Sequence, residues 1–248
     1  MKFQPLFLLA VLTLCAPVAR ADFAIKNGDT VVFLGDSITA ARQYGEIIED
    51  YTLLRFPQWK VHFINAGKGG ETAKESLARL DKDVFGRGAT LVIVAYGIND
   101  IGWGFKADAV HKQEYLDAIG EIADRCKQHD VRLFVCSAAI TSEDPDKAVQ
   151  GFLQKMCDEG LALAQARGAG TIDVQRSMRE IQRRVLAANA TKPDNEKQQM
   201  HVADGVHLND LGQPVRKSVK EIQEQSVLSQ SCPNQIRFRK EVSSSMLV

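Results

Sequence analysis

"VVFLGDSITA", residues 31–40, is the stretch on which the fold turns. Four apolar residues, Val31 to Leu34, read as a strand buried on both faces. Gly35 then lets the chain turn, and Asp36 and Ser37 follow at the strand's end. A serine in this place has two readings. It can cap a following helix, or it can be a nucleophile held at the rim of a sheet. A phosphate-binding turn fits less well, because one glycine and no lysine stand where a P-loop needs more.

The same alternation continues along the chain. Short apolar runs at 30–34, 61–65, 90–95, 132–137 and 170–174 read as strands. Longer amphipathic runs at 44–55, 74–82, 109–128, 145–166 and 175–188 read as helices. Strands alternating with helices imply an α/β fold, a five-stranded parallel sheet covered on both faces. The polar segment 190–199 reads as a surface loop. Beyond Gly212, Val215, Val219 and Ile222 share one helical face, with Pro214 tolerated in the first turn. Residues 228–248 show no periodicity and are expected to be a disordered tail.

The chain has 248 residues, 45% of them apolar, which suits one domain with a substantial core. Its formal net charge is zero, so no basic field would attract nucleic acid or an anionic membrane. The first 21 residues, "MKFQPLFLLAVLTLCAPVARA", carry Lys2, an apolar run, and small residues at Ala19 and Ala21. This is the pattern of a secretory signal peptide cut after Ala21, with a run too short to anchor the chain across a bilayer. A lipoprotein cut at Cys15 is disfavoured, because Leu14 is large and Cys15 lies inside the run. The expected organisation is therefore a signal peptide at 1–21, a single globular domain at 22–227 and a tail at 228–248. The expected location is the periplasm or the outside of the cell.

Four cysteines remain after cleavage: Cys126, Cys136, Cys157 and Cys232. They are far apart with no C-x-x-C pair, which argues against zinc. Export permits disulfides, and the sequence leaves the pairing open. Cys136, inside an apolar run, is expected to be buried.

In an open parallel sheet, ligands bind beyond the carboxyl ends of the strands. Three strands here end in polar, glycine-rich turns: "GDS", "NAGKGGET" and "GINDIGWG". A fourth polar cluster, "ADGVHLND", contains Asp204 and His207. A serine nucleophile needs a base, and the base needs an acceptor to orient it. Asp204, three residues before His207, can reach the imidazole from a turn. The competing reading is a metal or capping pair, for which His201 is the nearby candidate third ligand. Gly70 can offer a backbone N–H, Asn99 a side-chain amide and Ser37 its own N–H to a developing oxyanion.

Together, in this order, these motifs resemble the SGNH hydrolases, the GDSL esterase/lipase family. The matching blocks are "FLGDSIT" at Ser37, "NAGKGGET" at Gly70, "GIND" at Asn99 and "DGVH" at Asp204 and His207. Ile38 stands where the family name has leucine, and no family motif follows Gly212. The resemblance implies a flavodoxin-like three-layer α/β/α sandwich. It implies Ser37, Asp204 and His207 as catalytic residues, with Ser37, Gly70 and Asn99 as oxyanion hole. It also implies ester hydrolysis through an acyl-enzyme, with no metal and no organic cofactor.

Asp36, Trp103 and Phe105 are candidate substrate contacts, although Asp36 is better placed to bond backbone in the turn. Trp103 and Phe105 could equally pack into the core. The expected substrate is a short-acyl ester of a carbohydrate, such as an O-acetylated polysaccharide. A lysophospholipase or lipase is the alternative within the family. A non-catalytic carbohydrate-binding protein and a metal-dependent phosphoesterase are the alternatives outside it. The first is disfavoured because all four reactive positions are present. The second is disfavoured because His62, His111 and His129 lie in or beside element interiors. Oligomeric state is not readable.

Overall fold

A computed structural model describes residues 23–209. The signal peptide, the helix expected after Gly212, Cys232 and the tail lie outside the described residues. Five parallel strands form one sheet in the order β2-β1-β3-β4-β5. They are β1 (Thr30–Gly35), β2 (His62–Gly67), β3 (Leu91–Ala95), β4 (Arg132–Cys136) and β5 (Gly170–Ile172). Side chains alternate between the two faces of a strand, and here both faces are apolar. Val32, Leu34, Val92, Val94, Leu133 and Val135 enter one core. Val31, Phe33, Leu91, Ile93 and Cys136 enter the other. The unbroken apolar runs in the sequence follow from this double burial.

The helices are α1 (Ser37–Ala40), α2 (Gln43–Arg55), α3 (Ala73–Ser76), α4 (Leu80–Asp83), α5 (Ala109–Gln128), α6 (Pro145–Ala148), α7 (Phe152–Ala166) and α8 (Val174–Asn189). On α5, Tyr115, Ala118, Ile119, Ile122, Ala123 and Cys126 are buried at helical spacing. α5 and α7 cover the first core, and α8 covers the second through Val174 and Met178.

Several boundaries differ from expectation. The single helix expected over 74–82 is broken into α3, a 3-10 turn and α4. Ser76 Oγ donates to the Ala73 carbonyl at 2.7 Å, a local bond that competes with helix continuation. The helix expected over 145–166 divides at Gly151, which precedes α7. The last strand stops at Ile172 because Asp173 caps α8, accepting from the Arg176 N–H at 3.0 Å. Cys126 and Cys157 are buried free thiols, and Cys136 is buried as expected.

Candidate active site

β1 delivers Ser37 to the sheet's edge as the first residue of α1. Asp36 caps that helix: its Oδ1 accepts from the Ile38 N–H at 2.9 Å. Asp36 is only 5% exposed, so it supports the turn and does not face substrate, which corrects its candidacy as a contact. The turn is tight. A Cβ on Gly35 would lie 2.1 Å from Thr39 Oγ1 and 2.7 Å from the Ala95 carbonyl, so only glycine fits.

Asp204 and His207 stand on a reversal of the chain closed by an isolated antiparallel bridge, His201 to Leu208. The Val202 N–H donates to the His207 carbonyl at 2.9 Å. The Ser142 N–H donates to the Gly205 carbonyl at 2.7 Å, tying the reversal to the segment after β4. Ser37 Oγ lies 2.8 Å from His207 Nε2, and His207 Nδ1 lies 2.6 Å from Asp204 Oδ2. A carboxylate only accepts, so Nδ1 carries the proton there. Nε2 is then free to accept the serine proton. Asp204 Oδ1 also accepts from the Val206 N–H at 2.8 Å and the His207 N–H at 2.9 Å. These bonds, the Val206 N–H foremost, hold the Asp204 carboxyl down to about 2, so it stays an anion at neutral pH.

The other donors lie at neighbouring strand ends. Gly70 has φ +74, a conformation that only glycine takes at little cost. Beside it, the Glu71 carbonyl accepts from Asn99 Nδ2 at 3.1 Å, which holds the second and third motifs together. The Glu71 side chain is buried and grips Arg79, while Tyr96 Oη donates to it at 2.7 Å. Burial would raise this carboxyl. The Arg79 and Tyr96 hydrogen bonds and the charges of Arg79 and Lys68 outweigh it and hold the group below its usual range.

Trp103 closes the ring of contacts. Its Nε1–H donates to Asn99 Oδ1 at 2.8 Å, and its ring lies edge-on to His207 with centroids 5.6 Å apart. The expected residues Ser37, Gly70, Asn99, Asp204 and His207 thus belong to one connected set. Trp103 and Phe105 do not pack into the core: they are 43% and 96% exposed. The sequence reading missed the Glu71–Arg79–Tyr96 cluster and the bond from Trp103 to Asn99. An acidic residue directly after Gly69–Gly70 was the one available signal. His201, the candidate third metal ligand, instead lies buried with Nε2 3.1 Å from the Ile140 carbonyl. Among the described residues no three His, Cys, Asp or Glu side chains are grouped as a metal ion would need.

The sequence profile of the GDSL-like Lipase/Acylhydrolase family matches residues 33–215, which spans all four motifs. The chain belongs to this family. It is accordingly a carboxylic ester hydrolase, and its sheet and helices are those of the fold expected from the sequence. A search of curated proteins finds no match. Among solved structures this GDSL-like hydrolase is similar to BT4096, a gut microbial diltiazem-metabolizing enzyme, with a TM-score of 0.68 and 23% identity. That match covers 81% of this chain and 48% of the other, so the chain spans about half the length of that enzyme. It is also similar to Axe2, an acetylxylan esterase from Geobacillus stearothermophilus. There the TM-score is 0.66, identity 18%, and coverage 82% of this chain and 96% of the other. A third similar structure is LAE5, an alpha/beta hydrolase enzyme from the Lake Arreo metagenome. Its TM-score is 0.65 and identity 19%, over 82% of this chain and 98% of that one. At such identities the likeness is one of fold.

Proposed function

We propose that this hydrolase is an exported serine esterase that removes short acyl groups from carbohydrate through an acyl-enzyme. The observation that carries the reading is the unbroken hydrogen-bonded chain from Ser37 Oγ through His207 to Asp204. In the first half-reaction His207 Nε2 takes the Ser37 proton as Oγ attacks the ester carbonyl carbon. The carbonyl oxygen gains the electron pair and faces the Ser37 N–H, the Gly70 N–H and the Asn99 amide. Asp204 stabilises the imidazolium. The tetrahedral adduct collapses, the C–O bond to the alcohol breaks, and His207 returns its proton to that oxygen. Water then repeats the sequence, releasing the acid and restoring Ser37. These residues need no metal and no organic cofactor.

The carbohydrate preference is supported by two exposed aromatic rings on which a sugar would stack, Trp103 against His207 and Phe105 two residues further along the chain. The esterase of similar fold is named for acetylxylan, and it was also solved as catalytic mutants at a histidine and at an aspartate. Export rests on the sequence of residues 1–21.

The test is hydrolysis of p-nitrophenyl acetate by wild type and Ser37→Ala, with a serine-directed phosphonate to mark the nucleophile. The expected outcome is label on Ser37 and loss of turnover in a variant that still folds. Full activity in folded Ser37→Ala would refute the assignment. For substrate, p-nitrophenyl esters of increasing chain length are compared with acetylated xylan. A kcat/KM that falls beyond short acyl chains, with acetate released from xylan, is expected. A steady rise toward palmitate with no acetate released would make the enzyme a lysophospholipase.

A further inference from the structure

Trp103 has a backbone conformation that its residue type rarely adopts: φ is +58, in the left-handed region. Such strain persists only where surrounding bonds over-determine it. They do so here. The Trp103 N–H donates to the Ile98 carbonyl, the Gly102 N–H to Asn99, and the Gly104 and Lys106 N–H groups to Ile101, all at 2.8–2.9 Å. This knot turns the indole back over the catalytic groups. Its N–H meets Asn99 Oδ1 at 2.8 Å, and its ring meets His207 edge-on at 71°.

The chemistry of the two partners fixes the Asn99 amide. An indole N–H is a donor only, so the amide end facing it must be oxygen. The Glu71 carbonyl is an acceptor only, so the end facing it must be nitrogen. Both select the same orientation. One Nδ2 hydrogen serves Glu71, and the other is left for the oxyanion. In the reversed orientation an oxygen would face the developing negative charge.

We propose that Trp103 is a positioning residue: it locks the Asn99 amide with nitrogen toward the oxyanion and braces the His207 ring. This rests on the esterase reading above and makes Trp103 more than a platform for sugar. The indole acts through Asn99 and His207, so its removal lowers kcat and leaves binding of small esters little changed.

Two measurements test it. The first is a double-mutant cycle on p-nitrophenyl acetate with Trp103→Phe and Asn99→Ala. Trp103→Phe alone is expected to lower kcat about tenfold, part of what losing a whole oxyanion donor costs, with KM within about twofold. In the Asn99→Ala background the same change is expected to cost less than about twofold, because the group the indole N–H orients is gone and Phe keeps an aromatic edge against His207. Equal losses in both backgrounds, or a raised KM at unchanged kcat, would overturn the proposal and leave Trp103 as a substrate contact.

The second measurement leaves Trp103 in place. The chain has two tryptophans, so Trp59→Phe makes Trp103 the sole indole. Its emission at one fixed pH is expected to change when His207, the ring it meets edge-on, is replaced in the same background by Gln. Identical emission spectra and lifetimes for Trp59→Phe and Trp59→Phe/His207→Gln would overturn the brace. Failure of the esterase reading shows separately, as a wild-type enzyme that neither turns over esters nor labels at Ser37; the Asn99 role falls with it.

Discussion

At Asn99 one carboxamide is held from two sides, by the Trp103 N–H and the Glu71 carbonyl, which leaves one Nδ2 hydrogen for the proposed oxyanion. Asn99→Ala is therefore expected to lower kcat by roughly a hundred- to a thousandfold, the usual cost of one oxyanion donor. KM is expected to stay close to wild type. Steady-state kinetics on p-nitrophenyl acetate checks this, and a raised KM with normal kcat would reduce Asn99 to a binding or capping residue. At this scale the sequence was informative where chemistry is intrinsic to residue type. Serine, histidine and aspartate are the residue types of a nucleophile, a base and its acceptor, and the motifs singled out Ser37, His207 and Asp204, which the fold brings into hydrogen-bond contact. Trp103 was legible only as an aromatic near the site. Its role depends on a left-handed backbone angle and on a contact to His207, 104 positions away in sequence, and neither leaves a mark on local pattern.

Among the elements, the strands were read well because both faces of the sheet are covered and each strand is an apolar run. The short helices were read poorly. α1, α3 and α4 have four residues each, too few to show a helical period. α3 instead begins at a capping box, with Thr72 and Glu75 each holding the other's backbone N–H. Its start is also tied to the third strand's turn: Asp100 Oδ1 accepts from the Ala73 N–H at 2.9 Å. Asp100 is buried, and Oδ2 has no partner among the described residues. Burial pushes this carboxyl up to about 6, with the Asp36 charge adding to the effect. The sign follows. The folded state binds this proton more tightly than the unfolded chain does, so wild type loses stability as pH rises from the unfolded value of about 4 through 6. Asp100→Asn keeps an acceptor for Ala73 and removes the titration. The difference in Tm between Asp100→Asn and wild type is expected to move in the variant's favour between pH 5 and pH 8. A difference independent of pH would mean that Asp100 stays ionised in the fold throughout.

Across the whole molecule both helix layers bury polar atoms that lack partners among the described residues, and the α8 layer buries a charge among them. On the side of α5 and α7, Tyr115 Oη and Gln154 Oε1 are buried without a hydrogen-bond partner among the described residues. On the α8 side, Gln175, Arg179 and Gln182 project at helical spacing and are all buried. Both polar atoms of Gln175, Nε and Nη1 of Arg179, and Oε1 of Gln182 lack a hydrogen-bond partner among the described residues. Buried polar atoms are usually paired, and a buried charge without bonds costs more than it returns. Burial pulls the Arg179 guanidinium below its usual range, with Glu143 the main opposing charge. Replacing even paired buried charges with apolar side chains of similar volume has stabilised other folds by about 1–4 kcal/mol. Arg179 takes no part in the proposed chemistry. Arg179→Met is therefore expected to stabilise this protein by at least about 1 kcal/mol, which for a domain of this size raises Tm by about 2–4 °C. Esterase activity is expected to stay at the wild-type level. Thermal unfolding of the full chain decides the matter: a Tm lowered by several degrees would mean that Arg179 is bonded in the native protein and that α8 depends on it.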